Sequence, residues 1–488
     1  MNSEELNFKT DLVIPDEFYK ECLSVEYNVN ELNKIINLLD DSDPLNKLKG
    51  LIGLKKLYLI ENDKNEPNLL YNDINKLFDL LENYPVEFKC ECFFCLSSIE
   101  SYNLKNDKQI KNEPTDKIIK IILYILEFPH EFKLDMLKEN LNYIKLLVNN
   151  EDIIIKFGSE NLYKKIIKLI ENEYTDDKDI IESYLEIITK LIENNEELSD
   201  NENTTLEIIN FVSDLMNKFE SEQGVLISCL KVIFTITNIN ANIKSTTASK
   251  IMNKIIQLNI LKKIIDKIDK LNIEDEKLEI LYSIRIIGNF AAMENSFYTD
   301  KIIELNILDK LKILIQDKYT FEIRKETAWI ISNIAAGTFA QLNLLYENNF
   351  QDILFDIILN KNDDKVKDNC LWALYNFSNI PSIEKLNNLI ERGYIDIILN
   401  RLKTDKGDVL CCSLEALCNI LNRGKNNDPA NYNIIESKVH ELDILKELKN
   451  FWNNNELSEI AKNKIKDIFT NYFEIGDIYQ FLNNNNNE

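Results

Sequence analysis

Two tryptophans, one arginine and four asparagines in the C-terminal half carry the clearest chemistry of this 488-residue chain. Arg285-x3-Asn289, Trp329-x3-Asn333 and Trp372-x3-Asn376 are followed by Asn419, and the asparagines fall 44, 43 and 43 residues apart. Side chains four residues apart share one stripe of a helix, so the array predicts one helical unit stamped out at a repeat-protein period. A carboxamide both donates and accepts hydrogen bonds, which suits it to the backbone of an extended peptide whatever that peptide's sequence. Indoles from consecutive units form slots for the aliphatic stems of Lys or Arg, with the cationic head near the rings at roughly 0.5–2 kcal/mol each. Glu326, three residues before Trp329, and Asp368, four before Trp372, lie on the same stripes. There they select ammonium and guanidinium groups over neutral ones.

Such a surface needs a scaffold, and composition says which. Apolar residues make up 45% of the chain and charged residues 28%, enough for a folded core. Ten glycines and eight prolines are too few for an all-β chain with a turn every ten residues or so. Runs such as KIIKIILYILEF, YKKIIKLIENE and ESYLEIITKLIE have wide apolar stripes at helical spacing. The expected fold class is all-α, a solenoid in which each repeat buries its core against its neighbours. Residues 1–28 are expected to form an extension, 29–478 the solenoid and 479–488 a disordered asparagine-rich tail. Asp43-Pro44 predicts a cap followed by a first-turn proline. Helices are expected at 71–82 and 88–100, and loops at 103–118 and 195–205. Gly158, Gly288 and Gly337 are positions of close packing or helix termination.

The formal charge of −25 disfavours nucleic acid and anionic membrane surfaces as partners and favours cationic ones. A solvated acidic surface that merely keeps the protein soluble is the plainer alternative. Cys92-x2-Cys95 has half the spacing of a metal or redox motif, but no second pair accompanies it and the only histidines are His130 and His440. The nine cysteines are therefore expected to act as small apolar core residues in a reducing compartment. No signal-peptide pattern opens the chain and no window approaches eighteen uninterrupted apolar residues, so an intracellular protein is expected. No phosphate-cradling glycine loop, metal cluster or histidine-paired nucleophile is recognisable. Neither catalysis nor a cofactor is expected.

The stretches SIRIIGNFAAMEN (283–295), RKETAWIISNIAAGTFAQ (324–341), KDNCLWALYNFSN (367–379) and LEALCNILNRGKNN (414–427) resemble successive armadillo repeats of importin-α, the nuclear-import adaptor. The resemblance runs on through 431–473 and reaches the front of the chain at IINLLDDSDPLNKLKGLIGLKKL, but is faint between 105 and 280. It implies a right-handed superhelix of about ten three-helix repeats whose third helices line a groove. It also implies a basic nuclear-localisation peptide as ligand, and residence in cytoplasm and nucleus. In that reading Glu326, Trp329, Asn333, Trp372 and Asn376 match the family's minor peptide site on repeats six to eight, and Arg285 stands where the family itself departs from tryptophan. Asn289, Asp368 and Asn419 complete the expected site. The acid that follows the family's sixth-repeat Gly-Asn has no direct counterpart, with Glu294 and Glu304 as substitutes.

The family's major site is expected to be degenerate. Phe94 and Ser98, Leu141 and Lys145, Glu186 and Lys190, and Lys231 and Thr235 stand at the Trp and Asn positions of repeats two to five, and lysines facing such a groove would repel a basic ligand. Residues 1–40 hold only Lys9, Lys20 and Lys34 against nine acids. The basic segment with which the family binds importin-β is thus missing, and that partner is not expected. Residues 431–473 resemble the closing repeats that meet the family's export receptor. The competing reading is an armadillo scaffold with no transport role.

Overall fold

In the computed structural model, residues 16–25, 31–59, 71–105, 116–149 and 151–427 are described apart from short breaks, with 437–472 described in part. The described residues contain helices and no strands. Contacts divide the chain into residues 1–236 and 237–488.

In the first unit, α1 (Asp16–Ser24), α2 (Leu32–Leu39), α3 (Pro44–Leu59), α4 (Tyr71–Asn83) and α5 (Val86–Lys105) are followed by α6 (Asp116–Glu127) and α7 (Leu134–Leu147). Next come α8 (Glu151–Ser159), α9 (Leu162–Asn172), α10 (Lys178–Asn194) and α11 (Glu202–Lys218). Helix α12 (Gln223–Ala241) carries the boundary between the units. The second unit continues with α13 (Thr246–Gln257), α14 (Ile260–Lys267) and α15 (Lys277–Ala291), then α16 (Ser296–Glu304), α17 (Ile307–Leu314) and α18 (Phe321–Ala335). After these come α19 (Phe339–Glu347), α20 (Phe350–Asn360) and α21 (Asp364–Asn376), then α22 (Ile383–Glu391), α23 (Tyr394–Leu402) and α24 (Gly407–Asn427), and finally α25 (Glu459–Tyr472).

From α13 onward the order is two short helices and one long one. The long third helices pack side by side in sequence order, α15 on α18, α18 on α21 and α21 on α24. In the first unit α3, α5, α7 and α10 adjoin in the same way. Within each unit these third helices touch in sequence order, as a solenoid requires.

A local rule shapes the unit. Asn161, Asn259, Asn306 and Asn349 have φ between 53° and 62°, and Gly393 has φ 93°. Each sits between the first and second helices of its repeat. There asparagine or glycine is the least costly residue for a left-handed turn. The N–H of each bonds the carbonyl three residues back, at 2.9–3.0 Å. The next residue, Leu162, Ile260, Ile307, Phe350 or Tyr394, is buried. First helices open with side-chain caps. Asn295 Oδ1 accepts from Phe297 N at 3.1 Å, Ser382 Oγ from Lys385 N at 3.2 Å, and Thr338 forms a reciprocal box with Gln341.

The expected Asp43 cap is present, with Leu45 N donating to Asp43 Oδ1 at 3.0 Å ahead of Pro44. Within the extension, α1 packs on α3, where Lys56 Nζ donates to the carbonyls of Cys22 and Val25 at 3.2 and 2.7 Å. The tail 479–488, the stretch 106–115, His130 and His440 lie outside the described residues. Helix α12 is long and apolar enough to cross a membrane by composition, yet Cys229, Val232, Ile233, Ile236 and Thr237 on it are buried in protein.

All nine cysteines are free thiols. Cys92 and Cys95 are buried, and the Cys95 Sγ–H donates to the Leu51 carbonyl at 3.2 Å. Burial pushes both thiols well above their ordinary range, and Cys370 up to about 12. Cys22, Cys92, Cys95, Cys229 and Cys370 are buried, while Cys90, Cys411, Cys412 and Cys418 are half-buried. Ellman titration of the native protein should therefore show a fast phase confined to those four and release the other five on denaturation. Nine thiols reacting together without denaturant would contradict the core assignment.

Candidate peptide-binding surface

The residues singled out by spacing lie on four adjoining third helices. Arg285 and Asn289 stand on α15, Glu326, Trp329 and Asn333 on α18, Asp368, Trp372 and Asn376 on α21, and Asn419 on α24. Trp329 and Trp372 are each half-buried, as are Asn333 and Asn376. The indoles are neither core nor fully in solvent. The ring of Trp329 reaches across to α15 and rests on Gly288. A Cβ added there would lie 2.8 Å from Trp329 Cε3 and closer still to Cζ3, so the glycine lets the ring approach the helix backbone.

The electrostatics are paired. Arg285 Nε lies 3.1 Å from Glu326 Oε1, with side chains 32% and 18% exposed. The acid that precedes Trp329 thus already holds a cation from the preceding repeat. Asp368 meets Arg401 of α23 at 2.9 Å and is 44% exposed. Of the two substitute acids, Glu304 lies on α16 rather than a third helix and pairs with Lys301 at 2.6 Å. Glu294 is exposed just after α15.

The asparagines divide by role, which equal spacing does not reveal. Asn289 is buried and its Nδ2 donates to Thr237 Oγ1 at 2.9 Å, so it ties α15 to α12. Asn419 Nδ2 donates to Ser378 Oγ and Asn379 Oδ1, each at 3.1 Å. For these two, the expectation of an amide nitrogen offered to a ligand gives way to a tie between repeats. The buried Asn289 donor finds its acceptor in the preceding repeat, and leaving it unmade would cost about 1–3 kcal/mol. Asn333 differs: its Nδ2 is enclosed and has no acceptor among the described residues. Asn376 ends α21, where the chain tightens into the 3-10 turn Phe377–Asn379.

The first unit contains an arrangement that spacing alone missed. Lys55 of α3 holds its Nζ 3.7 Å from the Phe94 ring centre and 3.3 Å from Glu91 Oε2. Glu91 precedes Phe94 by three residues, as Glu326 precedes Trp329, and in both cases the preceding third helix supplies the cation. Acid, aromatic ring and cation are all furnished by the chain itself. The signal in the sequence was the shared Glu-x2-aromatic spacing. Two further expectations need correction. Leu141 is buried rather than groove-facing, while Lys145, one turn further along α7, lines the cleft beside α10. The lysines are also not bare positive charges, since Lys145 pairs with Glu186 at 3.5 Å and Lys190 with Glu193 at 2.9 Å. Thr235 is buried.

No protein-family model matches the chain. It superposes on an engineered protein solved by the Northeast Structural Genomics Consortium with a TM-score of 0.66 and 14% identity, over 91% of this chain and 99% of that one. The chain shares that protein's fold, an all-α solenoid of three-helix repeats. A computationally designed armadillo repeat protein for modular peptide recognition aligns with a TM-score of 0.43 and 20% identity, over 57% of this chain and all of that one. In sequence, the chain is 29% identical over 100 residues to the probable importin subunit alpha-A of Dictyostelium discoideum. That stretch is 20% of this chain and spans 18% of the relative's length.

Proposed function

We propose that the second unit docks extended, Lys/Arg-rich peptide segments along α15, α18 and α21, in the manner of an importin-α-type adaptor for nuclear-localisation peptides. One observation carries the reading: two half-buried indoles stand at the same register of adjoining third helices, each preceded on its own stripe by a carboxylate. Two partly exposed aromatic faces beside acids suit lysine and arginine stems. The acceptorless Nδ2 of Asn333 adds a donor that a peptide carbonyl satisfies once the side chain turns outward. The partial likeness to an importin alpha subunit supports the same reading. Traffic between cytoplasm and nucleus, and an export receptor meeting the closing repeats, belong to this proposal. The internally filled Lys55–Glu91–Phe94 slot supports a single working groove in place of the family's two.

Titration of the full chain with a fluorescent Lys/Arg-rich peptide, against one with glutamate at every basic position, tests it. Binding of the basic peptide alone, weakening as salt rises, is expected. Equal binding of both, or of neither, overturns the proposal and leaves an armadillo scaffold for a partner of other chemistry.

A further inference from the structure

The first helices of the second unit carry an apolar surface that the third-helix groove does not use. Phe339, the first residue of α19, is 65% exposed, and Phe297, near the start of α16, is 42% exposed. Gln341 ties these two helix starts together. Its buried side chain donates to the Ser296 carbonyl at 3.2 Å and to Asp300 Oδ1 at 2.7 Å, while its Oε1 accepts from Thr338 N at 2.8 Å. Ala336, Ala340 and Leu344 beside Phe339 are exposed as well. On the other side Lys385 joins α22 to α19 by reaching Asn343 and Glu347. The two rings differ in company. Lys301 stands 5.4 Å over Phe297, whereas Phe339 meets neither a cation nor another ring among the described residues.

The charge around these rings has one sign. Helices α16, α19 and α22 hold five acids against two lysines, and both lysines are already paired, Lys301 with Glu304 and Lys385 with Glu347. Asp300, which takes the neutral Gln341 amide, and exposed Glu384, close to Tyr346 of α19, have no ion pair among the described residues. We propose that Phe339 and Phe297 form a docking face for a segment of another protein that carries an apolar anchor with lysine or arginine on either side of it. The anchor covers the Phe339 ring and the alanines beside it, removing their apolar area from water. One flanking cation takes the empty face of that ring as Lys301 takes Phe297, and another meets Asp300 or Glu384. A second copy of this chain is the wrong occupant, because it brings the same surplus of acids to the face. Anionic lipid is repelled for the same reason. The ligand also differs from that of the proposed groove, where successive cations are read and no apolar anchor is needed. Phe297 and Phe339 lie on first helices, so the inference stands whether or not the third helices bind peptide.

The test uses the full chain carrying Trp329→Ala and Trp372→Ala, which lowers any signal from the third helices. Three labelled peptides are titrated by anisotropy: an amphipathic one of leucine and lysine, the same with glutamate for lysine, and an oligolysine of equal charge. The peptide of leucine and lysine should bind at least about tenfold more tightly than the other two. Phe339→Ser should weaken it about tenfold, by analogy with loss of one anchor, and Phe339→Trp should keep it. The melting temperature should not fall on Phe339→Ser, because that ring is mostly in solvent. A photoreactive group beside the leucines should cross-link to α16 and α19. No binding, equal binding of either control peptide, cross-links confined to the third helices, or indifference to Phe339→Ser would overturn the inference. So would a dimer of the protein alone, seen by sedimentation and lost on Phe339→Ser.

Discussion

Replacing Trp329 and Trp372 together by alanine should all but abolish binding of a Lys/Arg-rich peptide while leaving the helical solenoid folded. Each indole is half-buried and offers a rigid face at low entropic cost. Truncation of such an anchor costs about 1–3 kcal/mol, roughly a five- to 150-fold loss of affinity per ring at tenfold for each 1.4 kcal/mol. Both rings stand outside the fully buried apolar set that includes Ile330, Ile331, Leu371 and Leu374. Their removal therefore opens little enclosed cavity. Fluorescence anisotropy of a labelled peptide, with circular-dichroism melting beside it, separates the two effects. A double variant that melts like the parent and binds the peptide as tightly would show that the rings do not line the groove.

Gly288→Ala should give a comparable loss from a single methyl group placed on the neighbouring repeat. In a helix interior this change ordinarily stabilises by up to about 1 kcal/mol. Here the new Cβ would lie within 2.8 Å of Cε3 of a stiff aromatic ring, so the indole of Trp329 must leave its seat on α15. Because the ring is half-buried, it can swing toward solvent without dragging the helix with it. Peptide affinity should drop at least about tenfold, by analogy with loss of a single hot-spot anchor, with little change in melting temperature. With Trp372 and Trp452 replaced by phenylalanine, Trp329 is the sole tryptophan of the chain, and its emission should shift to the red on Gly288→Ala. An unshifted spectrum together with undiminished binding would show that close approach at Gly288 plays no part in the surface.

Much of this architecture is visible in the spacing of a few residues. The 44- and 43-residue steps located α15, α18, α21 and α24, because a large residue and a carboxamide at four-residue spacing mark one face of each third helix. The same steps could not separate Asn289 and Asn419 from Asn333. Their roles depend on whether the preceding repeat presents an acceptor, as Thr237 and Ser378 do, and that acceptor is 41 to 52 residues away in the chain. The first unit was hard to read for another reason. Without tryptophans to fix the register, one helical step decides between buried Leu141 and Lys145 at the cleft. The left-handed asparagines were invisible among many others, since φ is a property of the folded backbone and no composition bias marks it.

Those left-handed joints separate construction from recognition. The bend between first and second helices is made by Asn259, Asn306, Asn349 and Gly393, which lie on none of the third helices that carry the candidate contacts. Substitution along a third helix can thus rewrite what a repeat recognises while its hinge stays intact, and one lineage of such a chain can change ligands without having to reinvent its skeleton.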